Sequence, residues 1–412
     1  MTEIAQGIRV RPAAALRLAL AAAVIAAIAC DAPGRASPAD PAPLEGIAIY
    51  GQSNATGQGR AGPTPPVDVA ESEGVSWRAS DTGEAPRFAW APARDHVRYA
   101  SHCRSWPACR LFSPWPSFVR HRVDALGVET RTVLIPTAVS ASSLVRGGRS
   151  EDGFLAVGRP GYQRHLAIIA AAEAAGPYRF RTTATLMDQG GADGNARVSY
   201  AEYLEAARAF TDAEERAGRA VLWADAIRRP PPVIASGWEP ILQATRALID
   251  QHANAFRGPP LWDLEVEADG IHRGGQALAH AGARWAEYYH AFRAGNEPPR
   301  ITDVRVAGVS VLWPLGADGA GEEVRVAAAG DAAVALDLVV IDPEGDPISY
   351  RWEVYTENEV ADCRPGSRFS APDVEDPSWT PAGAHRTCWL RVEARDARAG
   401  DVALVRVDVT GR

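Results

Sequence analysis

Gly46-Ile47-Ala48-Ile49-Tyr50-Gly51-Gln52-Ser53-Asn54 is the stretch on which the fold turns. Gly46 to Tyr50 is a short apolar run that stops at a glycine, the pattern of a buried strand ending in a tight turn. Similar runs recur at Thr132–Ile135, Thr183–Met187, Ala220–Ala224 and Leu261–Val266. Between and after them lie segments with apolar residues at three-and-four spacing: Trp115–Leu126, Tyr162–Ala175, Tyr200–Ala217, Trp238–Ala253 and Gln276–Phe292. Such alternation of strand and helix predicts an α/β domain, a parallel sheet covered by helices on both faces with right-handed crossovers. Loops at the carboxyl ends of the strands are then where a site forms.

Outward from that core, the chain divides by composition. The first thirty residues carry Arg9, Arg11 and Arg17 and then an apolar run from Leu18 to Ala29. That run is shorter than the roughly 20 residues of a membrane span and has the layout of a secretory signal. It ends Ala27-Ile28-Ala29-Cys30, readable as a site for ordinary signal peptidase or as a lipobox before a lipid-anchored Cys30. Residues 31–43 are mostly Pro, Ala, Ser and Asp and read as a tether. The α/β core is expected over 44–295. A Gly/Pro/Arg-rich insertion from Arg60 to Phe112 is expected to wall the site. After Asn296-Glu297-Pro298-Pro299 the helical period is lost. Alternating segments at Leu336–Ile341, Ser349–Val354, Trp389–Ala394 and Ala403–Val409 predict a β-sandwich over 300–412, a length of about 110 residues.

Composition bounds the function. Hydrophobic content of 46%, charged content of 23% and a net charge of −8 describe a soluble globular chain without the basic footprint of a nucleic-acid binder. Twelve Trp leave room for stacking on sugar rings, although burial is the commoner fate of that residue. The five cysteines fall as Cys30, then Cys103 with Cys109, then Cys363 with Cys388, two close pairs suited to local disulfides in an oxidising compartment. Export to the cell envelope, the periplasm or the medium follows.

Chemistry gathers at the two ends of the α/β region. Ser53 sits at the tip of the first strand, where it can point into a cleft or merely cap the next helix. Asp269-Gly270-Ile271-His272 stands just before the last helix. Asp and His three apart can face each other, so that the carboxylate accepts the Nδ1 hydrogen and Nε2 is left to take a serine proton. An N-capped helix start with a surface His is the other reading. The remaining histidines, among them His165 and His252, show no metal-ligand spacing and read as surface or helix positions, and no phosphate loop is present. Neither metal nor cofactor is expected.

Gly51-Gln52-Ser53-Asn54 and Asp269-x-x-His272 together resemble the SGNH hydrolases, specifically the sialate O-acetylesterase and acetylxylan esterase group. Ala138-Val139-Ser140-Ala141-Ser142-Ser143 echoes that group's Ala-Val-Gly-Gly-Thr-Ser, and Asp188-Gln189-Gly190-Gly191-Ala192-Asp193 echoes its His-Gln-Gly-Glu-Ser-Asp. The resemblance spans Leu44 to Phe292 and implies a flavodoxin-like three-layer α/β/α domain. It implies Ser53 as nucleophile, His272 as base and Asp269 as the acid orienting it. Oxyanion and substrate contacts fall to Ser140, Gln189, Gln52 and Asn54. Gly191 stands where the group has Glu, which leaves Asp269 as the orienting acid. Asp188 and Asp193 read as loop carboxylates, or Asp188 as part of the substrate pocket. The C-terminal segment resembles polycystic-kidney-disease and immunoglobulin-like repeats through Asp342–Asp346, Tyr350–Trp352 and Asp396; calcium at Asp342 and Asp346 is possible in principle, but a Pro/Gly turn explains them with less assumption. The function implied is an exported serine esterase that removes acetyl groups from carbohydrate. A catalytically impaired glycan-binding or adhesion protein, and a lipase or thioesterase on the same scaffold, are the alternatives.

Overall fold

The protein is described by a computed structural model covering residues 44–52, 54–56, 67–79, 88–93, 112–147, 152–225, 238–267, 272–310, 328–329, 332–355, 367–382 and 386–410. Ser53, Asp269, Cys30, Cys103, Cys109 and Cys363 lie outside the described residues, as do the signal and tether segments.

The chain opens with β1 (Leu44–Gly51), in which Ile47, Ala48, Ile49 and Tyr50 are all fully buried. A strand buried on both faces reads as a continuous apolar run, and this one lies inside the sheet. It pairs in parallel with β4 (Arg131–Pro136) on one side and β5 (Thr182–Asp188) on the other. β6 (Ala220–Asp225) and β7 (Ala255–Pro260) continue beyond β5, again in parallel. β2 (Gly74–Ala79) adds in parallel outside β4, and β3 (Phe88–Pro92) closes that edge antiparallel. The seven-stranded order is β3-β2-β4-β1-β5-β6-β7. The order reverses between β1 and β5, the kind of point at whose carboxyl side open α/β sheets place their sites.

Helices cover both faces. α1 (Trp115–Asp124) and α6 (Gly275–Ala294) bring Trp115, Phe118, Trp285 and Tyr289 against Ile47 and Ile49. On the other face, α2 (Pro160–Ala174) packs Ile168, Ile169 and Ala172 on Ala48 and Ile135. α4 (Tyr200–Arg216) and α5 (Glu239–Gln251) pack Tyr203, Phe210, Ile241 and Leu248 around Tyr50, Met187 and Trp223. α3 (Gly191–Asn195) is a single short turn directly after β5. α4 starts with a reciprocal capping box, Ser199 with Glu202.

One expectation is corrected. The last strand is Ala255–Pro260, and Leu261–Val266 is a turn and loop after it. Gly258, Pro259 and Pro260 disguise the strand, but β7 is an edge strand and tolerates missing N–H donors. Of the two positions expected for His165, surface or helix, it takes the second: it lies on α2, fully buried, with Nδ1 2.7 Å from Thr137 Oγ1 and Nε2 3.3 Å from Glu214 Oε2. Glu214 is also bonded by Arg219, Tyr162 and Thr185. Burial pushes its carboxyl up, yet Arg219 and His165 outweigh that and hold it below the usual carboxylate range.

Beyond α6 two antiparallel sheets face each other. One is ordered β13 (Arg368–Phe369), β14 (Ser378–Thr380), β11 (Val334–Ile341), β8 (Arg300–Val306), β9 (Val309–Ser310). The other runs β10 (Ala328–Ala329), β16 (Gly400–Thr410), β15 (Arg386–Arg395), β12 (Ser349–Val354), with β10 parallel to β16. Val304, Leu336, Leu338, Trp352, Trp379, Leu390 and Val405 form the core between them. Cys388 is buried there and disulfide-bonded. Asp342 Oδ1 accepts the N–H groups of Glu344 and Asp346, the side-chain-closed turn expected of Asp-Pro-Glu-Gly-Asp, while Asp346 pairs with Arg398 at 3.2 Å.

The sandwich is docked firmly. Trp238, Leu242 and Trp262 meet Tyr355, Trp389, Val402 and Leu404 in one apolar cluster. Beside it Asp263 accepts from Arg284 Nη2 at 2.8 Å and from Arg391 Nε of β15 at 3.0 Å, and its carbonyl accepts the Tyr355 hydroxyl at 3.1 Å. Tyr288 OH donates to Gly400 O at 2.7 Å, and Arg257 lies 2.6 Å from Asp401.

Candidate active site

β1 ends at Gly51 with φ +130°, directly opposite Asp188 at the end of β5. A Cβ on Gly51 would stand 2.1 Å from the Asp188 carbonyl oxygen, so only glycine lets the two strand ends come together. Gln52 N–H then donates to Asp188 O at 3.2 Å, and Thr56 N–H donates back to Gln52 O at 2.9 Å. From α1, the buried Trp115 indole donates to Ala55 O at 2.9 Å. The turn bearing residue 53 is thus pinned on both flanks.

Three further segments meet this turn. The chain leaving β4 keeps following β1, since Thr137 N–H donates to Ile49 O and Val139 N–H to Gly51 O. That places Ser140, half-buried, next to the β1 turn. Ala141 has φ +55°, the left-handed region, at the position where the resembling family has its second glycine. The segment after β5 supplies Ala192 N–H to the Gln52 side-chain oxygen at 3.1 Å. The segment before α6 supplies Arg273 N–H to Asn54 Oδ1 at 3.3 Å. Residues 54 and 273 are 219 apart in sequence, and each adjoins a member of the expected catalytic set.

The 188–193 segment bonds to each of the other three. Asp193 is fully buried and accepts backbone N–H groups from Leu144, Val145 and Arg146 at 2.8–3.1 Å, and Gln189 Nε2 at 2.9 Å. Burial pushes its carboxyl up, opposed by those hydrogen bonds. Gln189 sends its other amide hydrogen toward Ser142 O at 3.4 Å, a weak contact, and its Oε1 is buried without a partner. Asp188 pairs with Arg273 Nη1 at 3.3 Å. Both carboxylates therefore have specific internal partners. The reading of Asp193 as an ordinary loop carboxylate is corrected: it organises the 144–146 backbone.

Of the expected site residues, Gln52, Asn54, Ser140, Gln189 and His272 come to one end of the sheet. His272 is half-buried, and its carbonyl accepts Glu267 N–H at 2.8 Å. The organising role of Asp193 and the part played by Arg273 were not foreseen. Asp193 had a signal, standing four residues after Gln189 in the same block; Arg273 had only its place beside His272.

Elsewhere, Asp212, Glu215 and His252 bring ligand atoms within 4.8 Å of one another at the amino ends of the strands, the far edge from this site. His252 Nδ1 accepts Asn254 N–H at 3.1 Å, which leaves the ring hydrogen on Nε2, 2.9 Å from Asp212 Oδ1. Among the described residues the tryptophans take the commoner fate of burial rather than stacking on sugar. Nine of the ten described Trp are buried, and Trp90 is half-buried and bonded through its indole N–H to Ala175 O.

No family model matches the chain, and no curated protein matches it. Among solved structures, a protein from Arabidopsis thaliana is similar at 16% identity and TM-score 0.44, covering 60% of this chain and 98% of its own. NanS is similar at 14% identity and TM-score 0.44, covering 62% of this chain and 99% of its own. A titin M10 and obscurin-like 1 immunoglobulin complex is similar at 17% identity and TM-score 0.17 over 28% of this chain.

Proposed function

We propose that this chain is an exported serine esterase of the SGNH kind, with a flavodoxin-like α/β/α domain, that removes O-acetyl groups from carbohydrate. Ser53 attacks the ester carbonyl, His272 takes its proton and returns it to the leaving alcohol, and Asp269 orients the imidazole. Water then releases acetate from the acyl-enzyme. The observation that carries the reading is the hydrogen bond from Arg273 N–H to Asn54 Oδ1. It joins the neighbours of Ser53 and His272, which is the convergence that a serine–histidine pair requires.

The oxyanion needs donors already aimed at it, since removing one costs about 3 kcal/mol of barrier. Backbone N–H groups at Ser53 and Ser140 and the Gln189 amide fill this role in the proposal. Of the two Gln189 hydrogens, the one directed at Ser142 O at 3.4 Å is held weakly and is the one an oxyanion can claim. Gln52 and Asn54 serve by fixing the turn. Cleavage before Cys30 leaves it as a lipid anchor, or simple signal cleavage leaves it unlipidated. An acetylated glycan outside the cytoplasm is the substrate class, and no cofactor takes part.

The test is hydrolysis of p-nitrophenyl acetate against p-nitrophenyl octanoate, with acetate release from a panel of acetylated glycans and fluorophosphonate labelling mapped by mass spectrometry. Acetyl preference, acetate release and an adduct on Ser53 that is lost in Ser53→Ala are expected. A folded wild-type protein with no turnover and no adduct defeats the proposal; octanoyl preference replaces it with a lipase or thioesterase.

A further inference from the structure

The residue after His272 is held from three sides. Arg273 is 4% exposed; its N–H donates to Asn54 Oδ1, its Nε to Leu261 O, and its Nη1 lies against Asp188 Oδ2, each at 3.3 Å. Asp188, 3% exposed, terminates β5 and sends its carbonyl to Gln52 N–H. A buried guanidinium is sustained only by a partner, and here the partner is the end of β5. The same arginine touches β5, the β1 turn and the first residue after β7. Leu261 is itself followed by Trp262 and Asp263, which the sandwich clamps.

We infer that Arg273 and Asp188 are positioning residues for His272: their buried ion pair fixes the turn carrying the imidazole against the end of β5 and so sets its direction toward the β1 turn. This inference rests on the esterase reading above. It also gives Asp188 a task other than lining a substrate pocket. The resembling family has a histidine at that position, and in this chain the carboxylate pairs instead with an arginine on the His272 turn.

The experiment uses the full chain with Arg273→Lys, Arg273→Met, Asp188→Asn and the double variant Asp188→Asn/Arg273→Met. Steady-state kinetics on p-nitrophenyl acetate, thermal melts and NMR of the His272 ring nitrogens, assigned with His272→Gln, are read on each. Arg273→Met and Asp188→Asn each strand a charge and lower Tm. The double variant removes both charges and recovers Tm, but its kcat stays down about 10- to 100-fold, because a displaced imidazole no longer meets the serine. KM stays within about twofold of the parent, since the groups are not offered to substrate. The His272 signals shift or broaden in the double variant. Arg273→Lys keeps the charge, loses the fork, and falls between parent and double variant in kcat.

A double variant with parental kcat, or with unchanged His272 signals, overturns the inference. Should the double variant not fold, Arg273→Lys decides by the same two readouts. If the parent hydrolyses no ester, the esterase reading fails by itself, and the His272 signals still decide whether the pair positions the ring.

Discussion

Replacing Asp263 by Asn should cost about 3 kcal/mol of stability, at the lower end of the range for breaking a buried pair. The side chain lies almost fully buried between Arg284 of α6 and Arg391 of β15. Asparagine keeps the shape but leaves both guanidinium groups facing a neutral amide. Arg391 retains Glu353 and Glu393 at 2.8 and 3.0 Å, which limits the loss on its side, whereas Arg284 retains the Pro260 carbonyl at 2.7 Å. Urea unfolding followed by tryptophan fluorescence reads the change, because Trp238, Trp262 and Trp389 line the same junction. The sign with pH follows from the carboxyl. Burial pushes it up, but Arg284 and Arg391 together hold it well below its ordinary value of 3.8. Its contribution is therefore present above that value and is lost as pH falls toward the folded-state value. The wild type should lose stability on acidification more steeply than Asp263→Asn. A loss under about 1 kcal/mol at neutral pH, the size of an exposed pair, would refute the idea that the sandwich is locked to the α/β part through this residue.

Asp193→Asn should destabilise by about 3 kcal/mol in denaturant titration, since one amide oxygen replaces a carboxylate that accepts four hydrogen bonds. Gly51→Ala should give no soluble folded protein, because the new Cβ meets the Asp188 carbonyl at 2.1 Å and φ is +130°; a normal melt would contradict this. Ala141→Val should lower stability by about 1–2 kcal/mol, a left-handed position being worse for a β-branched residue, while Ala141→Gly should not lower Tm.

Much of this architecture was legible because buried parallel strands are written as apolar runs: β1, β4, β5 and β6 each fall within two residues of their expected bounds. β7 was not, since an edge strand can carry Gly258, Pro259 and Pro260, whereas the apolar Leu261, Trp262 and Leu264 that mimicked a strand are buried by tertiary packing. β2 and β3 were hidden in a Gly/Pro/Arg-rich stretch whose pairing depends on the β4 edge. In the candidate site, the turn at Gly51 and the approach of the His272 segment followed from α/β topology. The backbone partners of Asp193 and the Asn54 and Asp188 partners of Arg273 did not, because they lie 47 to 219 residues away and exist only once the strand ends are in register.

The central claim is that the β1 turn and the segment before α6 place hydroxyl and imidazole in contact. A crystal structure of the fluorophosphonate-treated protein measures it: the account predicts an adduct on Ser53 Oγ with His272 Nε2 within about 2.6–3.2 Å of that oxygen. An unmodified Ser53, or an imidazole turned away beyond any hydrogen-bonding distance, would contradict it.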